Sequence, residues 1–398
     1  MERKKHFSTT LASSVIVSAS LHTPRSTHSF EQHYSINTMS TSPIRFGIIG
    51  CAEIARKVAR AISLSPNATL IAVGSRSIDK ARQFISDNAL PASTIPLAPY
   101  DAVLDHPSVD AVYVPLPTSL HVTWAVAAAK KGKHVLLEKP TALCVEELDV
   151  ILQACRENRV QFMDSTMWMH HPRTEKMREL ITDPTRFGEL KMVDSIFTFS
   201  ADEDFLQNDI RVKPDLDALG ALGDVGWYCI RSILWANLYQ LPKTVVALHG
   251  PIKNNSGVLL SCGAQLLWPD GRSATLNCSF LAHLTMQMTV IGTKGVLHVT
   301  DFVIPYEEGK ASFGFVSDAG FTELVTGWDP VPSKHEVIAD LPQEARMVRE
   351  FARLVKLIKE EGKEPETKWP EISRKTQLVM DAVKKSVDNG FEPVEIIG

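Results

Sequence analysis

From residue 44 to residue 163 the chain repeats one unit: a short apolar run, a turn of small residues, then an amphipathic helical stripe. Ile44 to Ile49 is the first run and stops at Gly50, and the stripe Ile54, Ala55, Val58, Ala61 and Ile62 follows it. Thr69 to Val73, Asp110 to Val114, His134 to Leu137 and Val160 to Met163 are further runs. Helical stretches fall near 78–87, 121–131 and 145–158, the second closed by Gly132. Runs without internal alternation are buried on both faces, and strand–helix repeats build a parallel sheet with helices on each side. Ligands of such sheets bind at the carboxyl ends of the strands.

The first strand end reads Gly50-Cys51-Ala52-Glu53-Ile54-Ala55, a relaxed dinucleotide turn. Gly50 supplies the tight turn, Ala52 lets backbone approach a pyrophosphate, and Ala55 lets helix pack on strand. The turn opens a helix whose free N–H groups suit an anion, so Gly50, Cys51, Ala52, Ile54 and Ala55 are cofactor-binding candidates. An NAD site usually places an acid at the end of the second strand. Here that end is Gly74-Ser75-Arg76-Ser77, with no acid before Asp79. A guanidinium with a neighbouring hydroxyl suits a phosphate monoester, so Ser75, Arg76 and Lys80 argue for NADP(H). The plainer reading of Arg76 is a solvated loop residue.

Glu138-Lys139-Pro140 closes another strand at the ligand-bearing end. A lysine there places an ammonium where alkoxide charge develops; a surface pair capping a strand is the alternative. Together with Gly47 to Ala55, Val112 to His121, Gly132 to Pro140 and Gly220 to Tyr228, this segment resembles the Gfo/Idh/MocA oxidoreductases, in their order and over about residue 44 to the C-terminus. The resemblance is nearest to plant and fungal members similar to dimeric dihydrodiol dehydrogenase and NADP-linked D-xylose dehydrogenase. It implies a Rossmann domain, Lys139 as catalytic lysine with Pro140 after a cis bond, and a nicotinamide pocket shaped by Pro115, Leu116, Pro117, Thr118 and His121 beside Glu138. Many sugar-oxidising members carry His four residues after the motif's Asp. This chain has Asp224 and Tyr228, and the diol-oxidising branch uses that tyrosine as acid/base. Asp224 and Tyr228 are one helical turn apart and can face one cleft. A nearby ammonium would draw the phenol toward neutrality, and Asp224 would orient substrate hydroxyls or the lysine. In the other reading Trp227 and Tyr228 are helix core. Trp168, His170 and Arg173, together with Arg211, are candidates for the substrate mouth. His170 and His171 lack a carboxylate or thiol at ligand spacing, so no metal is expected.

Beyond residue 166 the pattern turns to longer alternating strands: 191–200, 244–248, 258–267, 274–281, 285–291 and 295–300. The fold class is therefore α/β: an N-terminal Rossmann domain over 43–165 and a C-terminal α+β domain over 166–398, with an open, largely antiparallel sheet. A helix from Asp224 to Trp235 should cover one sheet face, and the other suits a homodimer. Two late helices carry the stripes Val348, Phe351, Ala352, Val355 and Leu378, Val379, Ala382, Val383, and pack back toward the first domain. Residues 1–42 are Ser/Thr-rich with only two acids, and fit a disordered tail, a start upstream of Met39, or a targeting segment. Location is cytoplasmic on the first two readings and plastid on the third. Net charge is −4, which gives no sign of a nucleic-acid partner, and no apolar run is long enough for a membrane span. The expected activity is NADP(H)-dependent hydride transfer to or from a CH–OH or C=O carbon of a small sugar or cyclic diol. A non-catalytic NADP-binding regulator, which need keep neither Lys139 nor Tyr228, is the competing reading.

Overall fold

The computed structural model describes residues 42–323 and 326–397; the expectations for residues 1–41 lie outside it. Residues 42–397 form one compact unit. The first half runs β1 (Ile44–Ile49), α1 (Glu53–Leu64), β2 (Ala68–Gly74), α2 (Ile78–Asp87), β3 (Ile95–Leu97), α3 (Asp101–Leu104), β4 (Ala111–Val114), α4 (His121–Lys130), β5 (His134–Leu137), α5 (Val145–Glu157) and β6 (Phe162–Asp164). The strands pair in parallel in the order β3-β2-β1-β4-β5-β6. The order reverses beside β1, so a crevice opens between the ends of β1 and β4. Every residue of β4 and β5 is buried, as a doubly covered sheet requires.

The second half runs α6 (Pro172–Ile181), β7 (Leu190–Ser200), α7 (Glu203–Asn208), α8 (Trp227–Ala236), β8 (Thr244–Ala247), β9 (Ile252–Lys253), β10 (Leu259–Leu267), β11 (Ser273–Ser279), β12 (Leu281–Gly292), β13 (Gly295–Val299), β14 (Lys310–Ser317), β15 (Gly320–Phe321), β16 (Trp328–Asp329), β17 (Ser333–Ile338), α9 (Gln343–Glu361), α10 (Lys368–Asp388) and β18 (Val394–Glu395). Its main sheet has the order β17-β14-β13-β12-β7-β11-β10-β8-β18, with β9 beside β10. All its pairings are antiparallel except β7 with β11. One face packs under the wholly buried α8. The other carries half-buried Ile196 and Gln287, and Met192 at 48% exposure on β7.

The two halves share a core. α9 buries Val348, Phe351, Ala352 and Val355 and packs on α1, with the rings of Phe351 and Phe46 5.9 Å apart. α10 packs on α5, β6, α8 and β8. The expected regular helix from Asp224 is corrected in its first turn: Leu222–Gly226 is a π-turn leading into α8. Gly223 and Gly226 admit that wider turn. A Cβ on Gly223 would meet the Leu219 side chain at 2.5 Å, and one on Gly226 the Cys278 sulfur at 3.2 Å.

Candidate active site

β1 ends at Gly50, whose φ of +124° favours glycine. A Cβ there would come within 3.0 Å of the Leu116 side chain, which sits at the facing strand end. α1 follows with Ala52 as N-cap and no side-chain cap, which leaves its first turn, lining the crevice at Ala52, Glu53 and Ile54, free of a side-chain acceptor. A cleft of about 530 Å³ runs from this turn into the second half of the protein. Gly50, Cys51, Ala52 and Ile54 line one end, with Arg76, Lys80 and Lys57 as cations. These residues fit a phosphorylated dinucleotide: an open glycine turn, an uncapped helix start and three cations against Glu53 and Glu344.

Pro115, Leu116, Pro117 and Thr118 form the middle wall. Asp217 grips this turn from the second half, accepting from the Thr118 N–H at 2.7 Å and its hydroxyl at 2.8 Å. Three expected cofactor contacts are corrected. Ala55 is on the buried face of α1, so it packs helix on sheet as its size allows but does not reach the cleft. Ser75 is 3% exposed and does not line the cleft, because the turn it begins folds its hydroxyl inward toward the Ser77 N–H. His121 is 1% exposed and props the turn from behind, its Nε2 2.8 Å from the Leu116 carbonyl. Burial lowers its pKa against the opposing pull of the Leu116 and Thr141 carbonyls.

Glu138, Lys139 and Pro140 follow directly on the end of β5, and the Lys139–Pro140 peptide is cis. Tyr113 donates to the Glu138 carboxylate, which also accepts from the Lys139 N–H at 3.0 Å. Burial pushes the Glu138 carboxyl up. The Lys139 ammonium donates to Asp224 Oδ1 at 2.6 Å and to the Asp224 carbonyl at 3.1 Å. Arg211 Nε reaches the same carboxylate at 3.1 Å, and Arg211 Nη1 reaches Asp209 at 3.1 Å. Burial opposes the charge on Asp224, but Lys139 and Arg211 outweigh it and hold the carboxyl at about 2.

Tyr228 faces the same space. The Lys139 nitrogen lies 5.0 Å from the centre of its ring, and its hydroxyl points to Met167 sulfur at 3.6 Å, a weak acceptor. The expectation that the ammonium draws this phenol toward neutrality is corrected. Burial first, then Glu138 and Asp224, raise its pKa well above 10, because the lysine's charge is already matched by Asp224. The hydroxyl therefore keeps its proton and is a donor.

Of the four residues expected at the substrate mouth, only Arg211 lines the cleft. Trp168 is wholly buried, edge-on to Trp235 and Phe302. His170 stacks on Trp369 at 4.7 Å, and burial lowers its pKa to about 3. Arg173 is 1% exposed, paired with Asp301 and donating to the Asp301 carbonyl at 2.8 Å. Ser165 and Met167 after β6 still line the cleft, but the next residues turn away, His170 onto Trp369 and Arg346, and Arg173 onto Asp301, so these side chains fill core. Phe197, Phe199, Asp209 and Asp217 line the cleft instead. No sequence signal marked them: they are ordinary strand aromatics and loop acids.

Residues 44–165 match the family described as "Oxidoreductase family, NAD-binding Rossmann fold", and residues 174–298 match the "GFO/IDH/MocA C-terminal domain". A D-xylose 1-dehydrogenase (NADP(+)) from Haloferax volcanii is 30% identical over 87% of this chain and 98% of that one. A dTDP-3,4-didehydro-2,6-dideoxy-alpha-D-glucose 3-reductase from Streptomyces violaceoruber is 36% identical over 66% of this chain and 74% of that one. The crystal structure of a 3-ketoreductase from Actinomadura kijaniata, in complex with NADP and TDP-benzene, superimposes with a TM-score of 0.71 at 28% identity, covering 86% of this chain and 98% of that one. With both halves matched and a relative aligned over nearly its whole length, the chain belongs to the Gfo/Idh/MocA oxidoreductase family.

Proposed function

We propose that the protein transfers hydride between NADP(H) and a CH–OH or C=O carbon of a small sugar or diol, with Lys139 and Tyr228 at the reacting oxygen. One observation carries this reading: an ammonium from the end of β5 and a phenol from α8 meet in the cleft that starts at the Gly50 turn. NADP, when bound, supplies or receives the hydride at its nicotinamide ring. Gly50, Ala52 and the start of α1 would hold its pyrophosphate, and Arg76 with Lys80 its 2′-phosphate. NADP in the related ketoreductase structure and in the name of the xylose dehydrogenase supports that choice over NAD.

In carbonyl reduction Lys139 donates a charge-assisted hydrogen bond to the oxygen as negative charge grows there. Asp224 fixes the ammonium in place. Tyr228 delivers the proton, which its raised pKa has kept on the hydroxyl. In the reverse direction the same phenol must lose its proton first, so oxidation calls for higher pH. A purely regulatory protein would have no use for this pair, which supports the enzyme over the non-catalytic reading.

The test is NADPH-linked reduction over a panel of aldoses, keto sugars and diones. Lys139→Met and Tyr228→Phe should each lower kcat by about 10²–10³ while NADPH affinity holds. Full turnover in either variant sinks the assignment. The exposed face of the second sheet, with Met192 outward, supports a homodimer through that face; a light-scattering mass of one chain counts against it.

A further inference from the structure

The far lobe of the cleft, beyond Lys139, carries an unusual charge balance. Its cations are Lys139 and Arg211, and its anions are Asp209, Asp217 and Asp224. Both cations are already matched, Lys139 by Asp224 and Arg211 by Asp209 and Asp224. In each of the three carboxylates one oxygen, Oδ1, takes every hydrogen bond supplied by the described residues. The three Oδ2 atoms are left as acceptors. Phe197 and Phe199 stand beside them as aromatic walls. The opposite end of the cleft, around Arg76, Lys80 and Lys57, carries the spare positive charge.

We propose that this lobe takes an uncharged polyhydroxyl compound and turns away its phosphate esters and nucleotide-diphosphate conjugates. Hydroxyl groups donate, and three carboxylate oxygens are waiting to accept. A phosphate or diphosphate brings acceptors and negative charge to a surface that already has an excess of both, in a half-buried space where such repulsion is weakly screened. The aromatic walls suit the apolar C–H faces of a sugar ring. The reading rests on the reaction proposed above and narrows its substrate. It also sets this chain apart from the relative whose name specifies a dTDP-sugar.

The experiment measures binding to the full chain saturated with NADPH, by calorimetry, and separately measures turnover. The probes are D-xylose, D-glucose, D-glucose 6-phosphate and dTDP-glucose. A free aldose should bind at least about thirtyfold tighter than either charged probe. In Asp209→Asn the half-freed Arg211 can engage phosphate, so that ratio should narrow by about tenfold. Equal or tighter binding of a charged probe, an unchanged ratio in Asp209→Asn, or no binding of any probe overturns the proposal. Selective binding of the free aldose without turnover in either direction leaves it standing and removes the hydride-transfer reading instead.

Discussion

Replacing Asp224 by Asn removes the anion that two cations share. Asp224 is 14% exposed, and its carboxyl is lowered from the ordinary 3.8 to about 2 by Lys139 and Arg211 against the opposing effect of burial. A folded-state pKa below the unfolded one stabilises the fold above the unfolded value, and the gain is lost as pH falls through the folded value. From the depression, the carboxylate contributes about 2 kcal/mol at neutral pH, falling away between about pH 4 and about pH 2. The variant also leaves Lys139, 11% exposed, without its partner. Arg211 is 34% exposed and keeps Asp209, so it adds little. The expected loss at pH 7 is therefore about 2–4 kcal/mol. Urea unfolding of the native and Asp224→Asn proteins, repeated from about pH 7 to about pH 2.5, reads it directly. The gap between the two proteins should close toward the acid end. A gap that stays constant across that range would refute the reasoning, since the penalty would then have nothing to do with the charge.

Three other substitutions probe separate claims. Arg173→Met leaves Asp301, 5% exposed, as an unpaired buried charge and should destabilise the fold by about 3–5 kcal/mol with substrate KM unchanged; a raised KM would return Arg173 to the substrate mouth. Arg76→Ala should weaken NADPH binding by about 10–100-fold and leave NADH nearly alone, measured by fluorescence titration; equal loss for both cofactors would cost Arg76 its phosphate role. Asp381 accepts from the Val145 N–H at 2.7 Å at the start of α5, and burial pushes its carboxyl up to about 6. A raised carboxyl stabilises below its unfolded value, and the contribution is lost as pH rises through about 6, here about 2–3 kcal/mol. Asp381→Asn should flatten that part of the stability profile, and a profile unchanged from native would contradict it.

The parallel sheet was legible because its strands are continuous apolar runs punctuated by glycine and proline. The long stripes of α1, α9 and α10 were legible because their apolar period survives over several turns. β3 and α3 were not, because Pro96 sits inside a three-residue edge strand and Pro99 between it and a one-turn helix, so the stretch reads as loop. β17 was missed for a different reason: Ser333–Ile338 is an edge strand with no buried residue, so it shows no apolar pattern. The π-turn at Leu222–Gly226 was read as an ordinary helix start, since its wider winding depends on what Gly223 and Gly226 pack against.

The site divides along the same line. Lys139, Asp224 and Tyr228 could be read because each belongs to a compact motif fixed to a strand end or a helix start. Trp168, His170 and Arg173 could not be placed, because following a strand end in sequence says nothing about which way the chain turns next. Here that turn also does positional work. Asp164, at the end of β6, is wholly buried; it receives Arg231 at 3.0 Å and the hydroxyls of Thr166 and Ser373. Thr166 in turn accepts from the Trp227 indole at 2.9 Å. α8 is thus tied to the Rossmann sheet at Trp227 and again one turn later at Arg231, and Tyr228 lies between the two ties. A phenol held between such anchors has little freedom to swing away from the end of β5. Asp164 and Thr166, just ahead of the residues expected to touch substrate, thus secure the helix that carries Tyr228.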